Sequence, residues 1–202
     1  MLKHSTLAKN ISERIGHALT WVPLHPDSIS ILSVVLSLFA FIAWLDPVLR
    51  IPAFVLFVFS FFFDVADGAI ARAKKLESKK GAFLDGIADR IVEFFLILAL
   101  FSVASADLQV VLILILFFGT AMTAFVKAYA EHSKILKHKE ALQMPGLLER
   151  TERSVLLLAA MLLFISHVEN VFTILLYGIA VLSILTFLQR FFTVYLKPRI
   201  SP

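Results

Sequence analysis

The 202-residue chain has no cysteine, which excludes disulfide bonds and thiolate metal sites. Its first 20 residues mix charged and apolar residues and lack the continuous apolar core of a cleavable signal peptide. Polar residues are scarce, since 59% of the chain is hydrophobic and the mean hydropathy is +0.89. This composition excludes an ordinary soluble domain and predicts an all-α membrane protein with several spans.

Apolar segments of roughly spanning length predict six transmembrane helices, at 29–45, 51–72, 85–104, 108–130, 153–167 and 170–195. Residues 6–20 place apolar side chains four apart, which predicts an amphipathic helix in the membrane interface or an ordinary cap on the bundle. Pro26 separates this helix from the first span, with Asp27 or Ser28 as the predicted N-cap. We expect one membrane domain over 1–202, with 1–22 as a juxtamembrane segment.

Positive charge is almost missing from one side of the predicted bundle. If the N-terminus is inside, the outer connections carry only Arg50, while the inner segments carry most of the lysines and arginines. This bias predicts cytoplasmic termini in a cell membrane. The net charge of +4 therefore indicates cytoplasmic loops and anionic headgroups rather than nucleic acid.

Four aspartates interrupt the apolar pattern. Asp64 and Asp67 are three residues apart near the inner end of the second span, and Asp85 and Asp89 are four apart at the start of the third. Each spacing places a pair on one helix face. The connection near 73–84 lets the two helices run antiparallel, so we expect the four carboxylates to converge on one cytoplasmic pocket.

Such a cluster needs a partner, because neighbouring ionised carboxylates repel each other and lose hydration on burial. Protonation is one solution, and a hard divalent cation such as Mg²⁺, Mn²⁺ or Ca²⁺ is the other. A metal there would suit a diphosphate substrate. Gly68 and Ala71 leave room for a flat ligand, and the fork of Arg72 suits phosphate. Taken singly, the glycine could serve helix packing and Arg72 could reach the interface.

These residues resemble the signature of the CDP-alcohol phosphotransferase family, D-x2-D-G-x2-A-R-x8-G-x3-D-x3-D. The pattern is complete here, at Asp64, Asp67, Gly68, Ala71, Arg72, Gly81, Asp85 and Asp89. Members transfer a phosphoalcohol from a CDP-alcohol to a hydroxyl acceptor and release CMP. The resemblance therefore implies a membrane transferase of phospholipid biosynthesis, and it also implies a homodimer.

The resemblance implies a role for each position. Asp64, Asp67 and Asp85 would bind two metal ions, which would be Mg²⁺ or Mn²⁺. Asp89 would be the catalytic general base and could also touch a metal. The CDP group would lie against Gly68, Ala71 and Arg72. Many members read T-P-N-x-x-T before the first span. Here Ser30 replaces the last threonine and is expected to contact the CDP group as well, whereas Asp27 departs from the pattern. Apart from the resemblance, Gly81 in the connection between the two pairs is predicted to give a bend.

Cations near the inner ends of later spans predict a phosphorylated acceptor. They are Lys127 in "AFVKAYAE", Arg150 and Arg153 in "GLLERTER", and Arg190. Positive-inside bias would also place cations there. The two quoted stretches resemble those of the family members that make phosphatidylinositol phosphate or archaetidylinositol phosphate. Inositol phosphate is therefore the expected acceptor, and a CDP-lipid is the expected donor. Glu149 and Glu152 could hold the arginines or cap the helix.

Other functions stay open at this point. Glycerol phosphate is the main alternative acceptor, and serine fits less well because it needs no phosphate pocket. CDP-inositol is an alternative donor. A divalent-cation or proton transporter could use the same carboxylates, but its path should continue through the outer halves of the spans, which are almost purely apolar. A non-catalytic lipid-binding scaffold would not require the whole signature.

Overall fold

The computed structural model describes residues 25–197, which are all-helical and contain no β-strand. The helices are α1 (Pro26–Trp44), α2 (Arg50–Ala73), α3 (Lys79–Val103), α4 (Ala106–His132), α5 (His138–Gln143), α6 (Arg150–Ile165) and α7 (Glu169–Tyr195). Within α4 the stretch Ile115–Met122 is π-helical. The predicted interfacial helix at 6–20, and the juxtamembrane segment 1–22 that contains it, lie outside the described residues.

Within the described chain, four helical stretches are long and apolar enough to cross a membrane: Pro26–Trp44, Pro47–Ala73, Ala106–His132 and Glu169–Tyr195. This confirms the predicted all-α class and several helices able to cross a membrane. The helices α3 and α6 occupy the positions of the third and fifth predicted spans. The first turns of α3 are rich in charge, however, and α6 has only 16 residues.

Local capping explains where several helices begin. Pro26 opens α1, because its fixed φ suits the first helical position and no N–H is lost there. His25 is the N-cap, and its Nδ1 accepts the Asp27 N–H at 3.3 Å. The prediction of Asp27 or Ser28 as the cap was therefore wrong. At α6, Glu149 and Glu152 form a capping box, which confirms their predicted capping role.

The apolar core fills the half of the bundle away from the aspartates. It joins the ends of α1, α2 and α3 that lie away from the aspartates to α4, α6 and α7, through buried side chains such as Trp44, Phe57, Leu100, Leu112, Leu157 and Leu176. Burial of apolar area holds these helices together and leaves the other half for polar groups.

Small polar residues bring α1 and α2 close together toward the aspartate end. Ser33, Ser37 and Ser60 are fully buried, and the Ser60 hydroxyl donates to the Ser33 carbonyl at 2.7 Å. Small residues allow close backbone approach between membrane helices. This packing places Ser30, one turn nearer the helix start, against Asp67.

Candidate active site

Three of the four predicted aspartates form an acid cluster, Asp64 on α2 with Asp85 and Asp89 on α3. One carboxylate oxygen from each lies within 4.8 Å of the others. The predicted convergence of α2 and α3 is thus present for these three. Asp67 lies beside the cluster, where its Oδ2 accepts the Ser30 hydroxyl.

The acid cluster fits a divalent cation. Asp64 is only 4% exposed, and its Oδ1 has no hydrogen-bond partner among residues 25–197. A buried carboxylate oxygen without a partner is costly, and two neighbouring acids make it costlier. Oxygen-only ligands at this separation are what Mg²⁺ and Mn²⁺ prefer. The donor set therefore agrees with the metal that the sequence predicted.

Arginines supply positive charge to the acid cluster. Arg150 bridges it, because its Nη2 donates to Asp64 and its Nη1 donates to Asp89. Arg90 donates to the other oxygen of Asp89 at 3.1 Å. Arg150, predicted as an acceptor-phosphate ligand, thus lies directly at the acids. The sequence reasoning missed Arg90, although a charge beside Asp89 in an apolar helix was a visible signal.

A cavity of about 160 Å³ lies between the start of α1, the end of α2 and the start of α3. It brings the predicted CDP-binding residues together with two of the acids, and its lining includes Ser30, Asp67, Gly68, Ala71, Arg72 and Asp85. The side chain of Arg72 folds over Gly68, where an added Cβ would lie 3.4 Å from Nη1. The cavity therefore has a cation, two serine hydroxyls and several carboxylates on its walls.

Gly81 lines this cavity at a point where a larger side chain would meet neighbouring residues. It lies in the first turn of α3, where the Ser78 hydroxyl caps its N–H at 2.9 Å, so the predicted bend at this glycine is wrong. An added Cβ would lie 3.1 Å from Asp27 Oδ1 and 3.1 Å from Ser78 Oγ. The glycine is needed for close packing of α3 against the start of α1.

A second ion pair lies deeper in the bundle. Arg153 on α6 donates from Nε and Nη2 to the two oxygens of Glu93 on α3, at 2.5 and 3.0 Å. Both side chains are buried, at 3% and 1% exposure. The sequence reasoning missed Glu93. Its signal was its place four residues after Asp89, which continues the line of acids on one helix face.

Arg190 on α7 is also buried, at 7% exposure. It donates to the backbone carbonyls of Pro145 and Thr123, both at 3.3 Å. Within residues 25–197 no carboxylate lies at ion-pair distance from it. Gly146 packs against its guanidinium, since an added Cβ would lie 2.9 Å from Nη2. Lys127, the fourth predicted cation, is half-buried on α4, four residues beyond Thr123.

Comparison with known proteins defines the class. The model of the CDP-alcohol phosphatidyltransferase family matches residues 23–188, and the chain belongs to this family. It is therefore a transferase of substituted phosphate groups that acts in phospholipid synthesis, as the aspartate signature implied.

Two similar proteins of known name cover most of this chain. The archaetidylinositol phosphate synthase of Pyrococcus horikoshii is 30% identical over 181 residues, which cover 88% of this chain and 87% of that protein. A bifunctional IPC transferase and DIPP synthase from Archaeoglobus fulgidus is 31% identical over 180 residues, but the match covers only 35% of that longer protein.

Solved structures show the same fold. The phosphatidylinositol phosphate synthase of Mycobacterium tuberculosis with CDP-DAG bound has a TM-score of 0.75 and 25% identity, covering 96% of this chain and 100% of that one. The same enzyme in complex with manganese and citrate has a TM-score of 0.77 at 24% identity, covering 95% and 92%.

Proposed function

We propose that the protein transfers a phosphatidyl or archaetidyl group from a CDP-lipid to a hydroxyl of inositol phosphate and releases CMP. The observation that carries the acceptor assignment is Arg190. The charge of Glu149 acts on Arg190 only from beyond ion-pair distance. The buried guanidinium donates to backbone carbonyls and has no counter-charge in direct contact within the described chain, so its lost hydration is only partly replaced. The phosphate of an acceptor would supply that charge. The names of the relatives support inositol phosphate as the acceptor.

The donor would occupy the cavity beside the acid cluster. Gly68 and Ala71 would face the cytidine, Arg72 would bind the diphosphate, and Ser30 would fix Asp67 from the opposite wall. Two Mg²⁺ or Mn²⁺ ions would be held by Asp64, Asp67 and Asp85, with Asp89 at the edge of the set. When bound, such ions neutralise the diphosphate and polarise the phosphorus under attack.

Asp89 would be the general base that takes the proton from the acceptor hydroxyl. Without substrates, Arg150 and Arg90 donate to one oxygen each and so orient the carboxylate before the acceptor binds. Lys127, Arg150 and Arg190 would bind the acceptor phosphate. The sequence prediction placed Arg153 with Lys127 and Arg190 as the first phosphate ligands, ahead of Arg150. Because its Nε and Nη2 donate to Glu93, we assign Arg153 a supporting role instead.

The wider architecture belongs to the same proposal. Helices lie at the positions of all six predicted spans, which supports six crossings in one domain over 1–202, preceded by the interfacial segment 1–22. The distribution of lysine and arginine supports cytoplasmic termini and a cytoplasmic site. Family resemblance supports a homodimer.

The test is CMP release by the purified protein in detergent, with Mg²⁺ or Mn²⁺ and a diacyl or ether CDP-lipid. The acceptors are inositol phosphate, glycerol phosphate and serine, and CDP-inositol replaces the CDP-lipid in a parallel series. We expect release with inositol phosphate. CMP release only with glycerol phosphate would support the proposed transfer reaction but reject inositol phosphate as the acceptor. No release from folded protein with any pair would reject the proposal.

A further inference from the structure

Two successive ion pairs connect α3 to α6. Asp89 and Glu93 are four residues apart on α3, and Arg150 and Arg153 are three apart on α6. Asp89 pairs with Arg150 and Glu93 pairs with Arg153. Both spacings return to the same helix face after one turn. The inner pair belongs to the acid cluster, and the deeper pair lies one turn farther along both helices.

The deeper pair is held rigidly. Glu93 and Arg153 share two hydrogen bonds, and the bidentate geometry fixes the plane of the guanidinium. Gly119 on α4 presses against the stem of Arg153, since an added Cβ would lie 3.1 Å from Cδ. Stability alone does not explain the pair, because apolar residues of similar volume often stabilise such sites equally well or better.

The inner pair cannot hold the same helices together throughout a reaction. Arg150 contacts Asp64 and Asp89, which are also carboxylates that would serve a metal and the acceptor hydroxyl. Arg150 would have to release them in order to reach an acceptor phosphate. Among the described residues, the deeper pair would then still join the first turn of α6 to α3 by direct hydrogen bonds.

We propose that Glu93 and Arg153 form a clamp that keeps α6 in register with α3, so that Arg150 stays beside Asp89 while its side chain changes partner. Glu93 is thus a positioning residue for acceptor binding. This inference rests on the proposed function, because it assigns Arg150 to the acceptor phosphate. It predicts that losing the clamp impairs acceptor binding and leaves donor binding unchanged, because the donor cavity lies between α1, α2 and the start of α3.

The kinetic test compares Glu93→Gln, the double variant Glu93→Met with Arg153→Met, and Glu140→Gln as a matched control. Glu140 pairs with Lys197 at 2.7 Å on the surface, and this contact lowers the pKa of Glu140. We expect both clamp variants to lose about 10²-fold in kcat/KM for the acceptor, as small misplacements of reacting groups can cause. The KM for the CDP-lipid should be unchanged.

The double variant separates positioning from stability. It leaves no unpaired buried charge, so its melting temperature should return to or exceed that of the wild type. Its acceptor kinetics should stay impaired. Wild-type acceptor kinetics in a stable double variant would overturn the clamp.

A second measurement does not depend on activity. The chain has no cysteine, so nitroxide labels can be placed at Phe94→Cys on α3 and Val155→Cys on α6, which are 40% and 49% exposed. We expect the label separation measured by EPR to change or broaden in both clamp variants and not in Glu140→Gln. An unchanged separation would overturn the clamp. If the wild type releases no CMP, the proposed function fails and this measurement still decides the clamp.

Discussion

One added methyl group at Gly119 tests how closely α4 packs against the buried Arg153. A Cβ at this position would lie 2.9 Å from Ser183 Oγ and 3.1 Å from Arg153 Cδ. The serine hydroxyl can rotate away, but Glu93 holds the far end of Arg153, so the arginine stem or α4 itself must move. We expect Gly119→Ala to lower the free energy of unfolding by about 1–3 kcal/mol, as overpacked cores do.

Gly178 on α7 provides the matched control. It lies on an exposed helix face, and an added Cβ would meet nothing within 4 Å in the described part of the chain. Alanine relieves the entropic cost of glycine in a helix, so we expect Gly178→Ala to stabilise by roughly 0.5–1 kcal/mol. The two alanines should therefore shift stability in opposite directions.

The assay is unfolding in detergent, combined with acceptor kinetics for both variants. Because movement of Arg153 disturbs its pair with Glu93, Gly119→Ala should also raise the KM for the acceptor by about tenfold, while the KM for the CDP-lipid stays unchanged. If Gly119→Ala proves as stable as Gly178→Ala, with wild-type acceptor kinetics, the described packing of α4 on Arg153 is refuted.

Other substitutions test the site directly. Asp89→Asn should lower kcat by about 10²–10⁴-fold with CDP-lipid binding retained in calorimetry, as loss of a general base predicts, and full activity would reject that role. Arg190→Met should raise the acceptor KM about 10- to 100-fold, because a charged hydrogen bond contributes roughly 1.5–3 kcal/mol; weaker donor binding with normal acceptor kinetics would place the acceptor elsewhere. Asp64→Asn should weaken Mn²⁺ binding measured by EPR, and unchanged binding would contradict the metal assignment. EDTA should stop CMP release until Mg²⁺ or Mn²⁺ is restored, whereas release in excess EDTA would contradict a metal requirement.

The acid cluster was predictable because its information is local. Helical spacing alone aligns Asp64 with Asp67 and Asp85 with Asp89, and the short connection between α2 and α3 brings their ends together. Most cavity residues follow from the same two helix ends, while Ser30 comes from the start of α1. Apolar length likewise predicts the helices, since the bilayer sets the number of residues needed.

The acid that each arginine contacts was not predictable from local spacing. Positive-inside bias places Arg150, Arg153 and Arg190 at one end of the bundle but does not say which acid each meets. Arg150 is 86 residues from Asp64, and Arg153 is 60 from Glu93. These contacts depend on the rotation of α6 against α3, which the pattern of apolar residues leaves undetermined. The π-helical stretch around Gly119 also has no local sequence signal.

The division of the bundle into a charged half and an apolar half bears on the transporter alternative. The end of the bundle away from the aspartates is packed by aromatic residues, and the guanidinium of Arg50 lies 5.9 Å from the Trp44 ring and 5.1 Å from the Phe164 ring. Between these residues and the Glu93–Arg153 pair, the described core consists mainly of buried hydrophobic side chains, with small serines such as Ser37 and Ser60 at the contact of α1 and α2. A charged cargo crossing this core would lose its hydration without polar partners. A transferase needs access from one side only, because its lipid donor arrives within the membrane plane and its polar acceptor arrives from water.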